Sequence, residues 1–233
     1  MKAIVAVYSD WGIGCDGTQP IIIPEDRKVF QNYTSGKAII VGRKTLDDFP
    51  EGKPLRNRHN IVISKTLKSL GDAEVADSVD AAVELSKKYE ETIVCGGASV
   101  YKALMPYIDE VKVTKIQAQP VSDSFFTNLD EDLLWDKVEE SEPKTTDDGV
   151  AYSYCTYKRN IEIGGTFSLS DTETERTVFV VVFKGVTYNV MYRHDTGLTY
   201  TMEGEDDNVP PTVEDEKAIC EYVRFFAKKE ERA

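Results

Sequence analysis

The chain of 233 residues carries 28 Lys/Arg against 41 Asp/Glu, a formal net charge of −13, with 41% hydrophobic and 30% charged residues. That length holds one large domain or an ordinary one plus a small one, and the composition is that of a soluble globular protein. The acidity excludes a phosphate-backbone binder, so no nucleic-acid partner is expected. The opening run Met1 to Tyr8 is broken by Ser9-Asp10, too short for a signal core or a membrane span, and reads as a first buried strand. Cys15, Cys95, Cys155 and Cys220 are scattered without a paired motif or clustered histidines, which points to reduced thiols in a cytoplasmic protein and to no metal site.

Along the chain, Ala3 to Val7, Ala38 to Val41, Asn60 to Ile63, Thr92 to Cys95 and Glu110 to Ile116 are short Val/Ile-rich runs, the pattern of central strands buried on both faces. Between them Glu25 to Tyr33, Val79 to Tyr89 and Ala98 to Met105 carry helix-spaced apolar residues, with Ser78 as N-cap of the second. Leu133 to Glu140 and Ala151 to Lys158 flank a turn-rich segment and predict a closing antiparallel pair. The first 159 residues therefore predict an α/β domain, a sheet with helices on its faces.

From residue 160 the pattern changes. Phe167 to Leu169, Thr177 to Phe183, Val186 to Tyr192 and Leu198 to Met202 read as strands; an acidic linker, Glu203 to Pro211, leads to a helix capped by Thr212 with Ile219, Tyr222, Val223 and Phe226 on one face. Residues 160–233 thus predict a small α+β module of antiparallel strands followed by one helix. With 8 Lys/Arg against 15 Asp/Glu from Ile161 onward, it is the more acidic part per residue. His194-Asp195 falls in a turn without a nucleophile and reads as a plain turn.

Three strand ends carry groups suited to an anion. Arg43, Lys44 and Thr45 follow one, Ser64 and Lys65 a second, and Cys95, Gly96, Gly97, Ala98, Ser99, Val100 and Tyr101 a third. Glycines permit close backbone approach and a helix start presents N–H groups to phosphate. Cations are disfavoured at a helix start unless an anion joins them. In an open α/β sheet ligands collect beyond the carboxyl ends of the strands, so these groups together predict one phosphate-rich cofactor. Asp26, at the end of the run Pro20-Ile21-Ile22-Ile23-Pro24, faces a partly dry cavity and is the candidate for recognition of an amidine-like group or for proton handling. Phe30 lies one turn further on the same face, Arg58 can grip a carboxylate, and Thr114 supplies a strand hydroxyl.

The ordered set Ile13-Gly14, Pro20 with Pro24-Glu25-Asp26, Val41 to Thr45, Arg58 with Ser64, Gly96-Gly97 with Val100-Tyr101, Thr114 and Asp123 resembles the dihydrofolate reductase family over residues 1–159. The resemblance implies a mostly parallel eight-stranded sheet with four flanking helices. It implies hydride transfer from NADPH to 7,8-dihydrofolate, giving tetrahydrofolate for one-carbon and thymidylate metabolism, and binding of antifolate-like ligands. By that analogy Asp26 and Thr114 are catalytic and bind the pterin with Ile4, Val5 and Phe30, while Arg58 holds the glutamate tail. Ala6, Ile13, Gly14 and the loop to Gln19 cover the nicotinamide, Gly96 to Tyr101 take the pyrophosphate and the nicotinamide side with Cys95 lending a backbone carbonyl or pocket wall, and Arg43, Lys44, Thr45, Ser64 and Lys65 the adenosine end with its 2′-phosphate. The chain departs from the family where Ile21 stands in place of a tryptophan, and Gln19 where an apolar residue is usual. Two other readings are a riboflavin-pathway type pyrimidine reductase and a reductase-like binding protein with weak catalysis. The chain is expected to be a monomer, or a homodimer through the C-terminal module.

Overall fold

The computed structural model describes residues 1–170, 175–201 and 210–230. The chain divides into two compact units, residues 1–128 with 137–158, and residues 129–136 with 159–233. The segment Leu129–Asp136 therefore clusters with the C-terminal residues, although the reading of the sequence places it in the first domain.

The first unit begins with β1 (Lys2–Val7), β2 (Gly12–Gly14), α1 (Pro24–Thr34), β3 (Ala38–Gly42), α2 (Arg43–Asp48), β4 (His59–Ile63) and β5 (Glu74–Ala76). It continues through α3 (Val79–Ser86), β6 (Thr92–Val94), α4 (Ala98–Leu104), β7 (Glu110–Ile116), β8 (Ser124–Phe125), β9 (Trp135–Glu140), β10 (Lys144–Thr145) and β11 (Ala151–Arg159), of which Trp135, Asp136 and Arg159 group with the second unit. Eight strands lie in the order β10-β11-β7-β1-β6-β3-β4-β5, and β9 pairs with β11 off that path. From β7 to β5 every pairing is parallel; β11 closes the sheet antiparallel to β7. The strand β3, Ala-Ile-Ile-Val-Gly, has its first four residues buried, as a two-faced central strand requires. The apolar cluster of Ile4, Ile39, Val41, Leu46, Val62, Ile93 and Cys95, with Phe30 and Tyr33 beside it, fixes α1 and α2 on one face.

The helices follow their local signals. Ser78 caps α3 by accepting from the Ala81 N–H at 3.2 Å. That helix ends at Ser86, where the sequence pattern runs on to Tyr89; Lys87 to Tyr89 continue in turns whose N–H groups reach back to Glu84, Leu85 and Ser86. In α4 the helix yields after Leu104 to a 3₁₀ turn, Met105–Tyr107, because Pro106 lacks the N–H that an α-helix needs.

The second unit is a four-stranded antiparallel sheet, β12 (Ile161–Ser170), β13 (Glu175–Phe183), β14 (Val186–Arg193) and β15 (Thr199–Thr201) in that order, followed by α5 (Val213–Glu230). Its core joins Ile161, Phe179, Val181, Phe183, Val190 and Tyr192 from the sheet to Ile219, Cys220, Val223 and Ala227 from the helix. The Thr212 hydroxyl accepts from the Asp215 N–H at 3.1 Å, the expected cap. The strand β12 is longer than the three residues its apolar core suggests, since the Gly164-Gly165 pair reads as punctuation but forms an irregularity within the ladder. Met202, and residues 203–209 of the acidic linker, lie outside the described residues. Among the described residues no helix is long and apolar enough to cross a membrane.

Candidate active site

Asp26 is the third residue of α1. Pro24 occupies the first helical position, where its missing N–H costs nothing, and Ile23 precedes the helix in an extended conformation without a side-chain cap. Asp26 is half-buried, and its carboxylate accepts a hydrogen bond from the buried Thr114 hydroxyl, which projects from the middle of β7. Burial raises the Asp26 pKa above the usual carboxylate value, and the Thr114 bond works in the opposite sense as the smaller effect. Thr114 pairs in register with Ala6 on β1, so Ile4, Val5 and Ala6 and the hydroxyl that holds the acid share one sheet region.

Tyr101, on α4, is buried and donates to the Ile4 carbonyl at 2.6 Å, tying the third anion-suited strand end to β1. Burial is the main cause that pushes the Tyr101 phenol well above its ordinary pKa. The backbone around it is tight. Gly96 has φ of 107°, and a Cβ there would come 2.9 Å from the Tyr101 ring; one on Gly97 would come 3.1 Å from the Thr45 hydroxyl, and one on Gly42 3.0 Å from Val100. The Gly42 N–H donates to the Gly96 carbonyl at 2.7 Å, so the ends of β3 and β6 are joined directly. The Gly96-Gly97 peptide is cis. Arg43, Lys44, Thr45 and the stretch Gly96 to Tyr101 are thus brought together by neighbouring parallel strands.

Arg43 answers the charge of its helix start internally, with an ion pair to Asp47 one turn on at 2.8 Å. Ser64 is buried and its oxygen accepts from the Leu67 N–H at 3.1 Å, which shapes the turn carrying Lys65. Beside it lies a cleft of about 560 Å³ lined by Ser64, Lys65, Leu67, Lys68, Val75 and α3 residues.

Arg58 is held by three acceptors: the Thr34 hydroxyl at 3.1 Å, the Arg56 carbonyl at 2.7 Å and the Gln31 carbonyl at 2.8 Å. A guanidinium has five N–H groups, so this anchoring leaves donors for a carboxylate. Thr34 and Asn60 had no assigned role in the sequence reading. Asn60 braces the Arg58 loop by bonding both the N–H and carbonyl of Leu55, and its signal was present as one buried polar residue opening the apolar run to Ile63.

The loop from Ser9 to Pro20 is fastened to the segment before β8. The Asp16 N–H donates to Asp123 at 2.9 Å, and the Asp123 N–H donates to the Gly14 carbonyl at 3.0 Å. The bond from Asp16 leads the causes that hold the Asp123 carboxyl below its ordinary pKa. Cys15, Asp16 and Asp123 come within 4.8 Å of one another, an exposed group whose contacts these backbone bonds explain.

A mostly parallel α/β sheet whose strand ends meet at a glycine pair, together with one desolvated carboxyl at the start of α1, is a site suited to a phosphate-bearing ligand. The sequence model of the dihydrofolate reductase family matches residues 1–159. The dihydrofolate reductase of Neisseria meningitidis serogroup A / serotype 4A is 36% identical over 157 residues, 67% of this chain and 96% of that one. That of Bacillus subtilis is 37% identical over 152 residues, 65% of this chain and 88% of its own length. The structure of dihydrofolate reductase from Enterococcus faecalis complexed with NADP(H) and RAB-propyl aligns with a TM-score of 0.60 at 32% identity, covering 68% of this chain and 95% of that one. The chain belongs to the dihydrofolate reductase family.

Proposed function

We propose that this chain reduces 7,8-dihydrofolate to 5,6,7,8-tetrahydrofolate with NADPH as reductant, for one-carbon and thymidylate metabolism, and that Asp26 governs the proton this reduction needs. The observation that carries the reading is the pairing of the desolvated Asp26 carboxyl with the buried Thr114 hydroxyl. NADPH, when bound, supplies the hydride. The residues fit it: Gly42, Gly96 and Gly97 are packed so closely that side chains there would crowd Val100, Tyr101 and Thr45, which leaves backbone open to a pyrophosphate. In this reading Cys95 to Tyr101 hold the pyrophosphate side and Ala6, Ile13 and Gly14 the nicotinamide. Arg43, Lys44, Thr45, Ser64 and Lys65 hold the adenosine end, with the cleft beside Ser64 giving room for it.

Asp26 accepts from the amidine-like edge of the pterin and, with Thr114, favours protonation of the ring nitrogen beside the carbon that receives hydride. Ile4, Val5 and Phe30 line the substrate, and Arg58 forks the glutamate carboxylate with the donors that its three fixed bonds leave over. Antifolate-like ligands would use the same carboxylate. Asp26→Asn keeps the shape and removes the charge; turnover should fall by about 10²-fold or more, the usual size of acid–base assistance, while NADPH affinity stays unchanged. Wild-type rates in that variant would refute the role.

Cytoplasmic residence fits four free cysteines, three of them buried. The second unit has no assigned chemistry, and self-association through it is the reading that sizing of the full chain against a truncation would decide.

A further inference from the structure

Tyr8 is only 2% exposed, and its hydroxyl makes two hydrogen bonds to the backbone of one residue, Ile21. It accepts from the Ile21 N–H at 2.9 Å and donates to the Ile21 carbonyl at 3.3 Å. A buried phenol needs a partner for its polar tip. Here that partner is the backbone of the residue that stands where the family resemblance places a tryptophan.

The placement matters because of what flanks it. Tyr8 lies one residue beyond β1, and Ala6, two residues before it, pairs in register with Thr114. Ile21 lies five residues before Asp26, which Thr114 holds. Residues 21–26 are therefore fastened to the β1–β7 pair at two points, by Tyr8 at the backbone of Ile21 and by Thr114 at the carboxylate of Asp26. Around the first point Tyr8, Ile23, Ile116 and Tyr152 form an apolar cluster, with Ala6, Ile21 and Tyr154 packed against it.

We infer that Tyr8 is a positioning residue of the reductase site: its hydroxyl holds Ile21 as the apolar wall that desolvates Asp26, without touching the substrate. This rests on the dihydrofolate reading of Asp26. The Tyr101 phenol on α4 and the Tyr154 phenol on β11 both feel the Asp26 charge, and Tyr154 also feels Tyr152 on its own strand and Glu25 on α1. Both phenols are raised chiefly by burial, Tyr154 to about 12, so neither titrates near neutral pH and Asp26 is left as the group that a change in the wall would retune.

The test is Tyr8→Phe in the full chain, which keeps the ring and deletes the hydroxyl. Amide exchange at Ile21 should quicken, and the KM for dihydrofolate should rise about tenfold, because buried peptide groups lose their partners. Admitted water would relieve the desolvation of Asp26, so the alkaline midpoint of kcat/KM should move to lower pH; NADPH affinity should not change. A loss of packing alone would lower the melting temperature and leave the pH midpoint in place. A folded Tyr8→Phe enzyme with unchanged KM and midpoint overturns the inference. Should that variant not fold, Tyr8→Met, which also lacks the hydroxyl and fills the apolar site without adding a titrating group, carries the same comparison. If wild-type protein oxidised no NADPH with dihydrofolate, the reading of the site would fall, while the exchange rate at Ile21 would still decide whether the hydroxyl holds the loop.

Discussion

At the scale of single residues, Asp26 has opposite effects on stability and on chemistry. Its folded-state pKa is raised by burial, so the folded chain holds this proton more tightly than the unfolded one. The associated stability is full below the unfolded carboxyl value, about 3.9, and is lost as pH rises through the folded value. At neutral pH the ionised carboxylate is a cost carried for function. Asp26→Asn should accordingly raise the melting temperature at pH 7 while removing activity, and the gain should vanish in acid; thermal unfolding at two pH values checks it, with no gain at pH 7 as the contrary result. Gly96 is the converse case. Its φ of 107° and the 2.9 Å approach to Tyr101 make Gly96→Ala strained whatever the ligand, at a cost of about 1–3 kcal/mol that denaturant unfolding would measure. Asp26, Thr114 and the glycine pair were legible in the sequence because charge, strand position and Gly-Gly each leave a local mark. The Tyr8 hydroxyl was not, since a tyrosine after a Val-rich strand looks like any core residue until the loop carrying Ile21 is folded back over it.

At the scale of elements, the local signals that were strong held and those that competed did not. Ser78 is a true cap, and Ser78→Ala should cost about 1 kcal/mol; an unchanged midpoint in denaturant would show that α3 is held by packing alone. The five central strands were readable because residues buried on both faces leave a continuous apolar run. The strand β12 was only partly readable, because glycines at positions 164 and 165 mark a turn in a sequence but an irregularity in a ladder. The cations at the start of α2 were expected to want an anionic ligand, and the Arg43–Asp47 pair supplies a local answer to the same charge. In α5, Ile219 is fully buried between Phe179-bearing β13 and its neighbours, so Ile219→Ala should cost about 2–5 kcal/mol in the stability of the second unit.

At the scale of the whole molecule, the change of pattern near residue 160 separates two units, but the return of Leu129–Asp136 to the second was not visible locally. Leu134 packs on the cluster formed by β12 to β14 and α5, and a single apolar residue near a strand start gives no sign of which core will receive it. Truncation after Asn160 is expected to keep turnover within about threefold, ~0.6 kcal/mol in the barrier, because the residues proposed for the site lie within residues 1–128. It should lower thermal stability or solubility by exposing Leu134, and a truncation that lost all turnover while remaining folded would show that the second unit takes part in catalysis. The family match ends at residue 159, so the remaining residues are an addition to the reductase and not a variation on it.

The central claim is the reductase itself, and the most direct measurement follows the nicotinamide absorbance when the purified full chain is mixed with NADPH and dihydrofolate. The expected result is a decline that needs both compounds and disappears with Asp26→Asn; at micromolar protein, no decline beyond the blank would contradict the account.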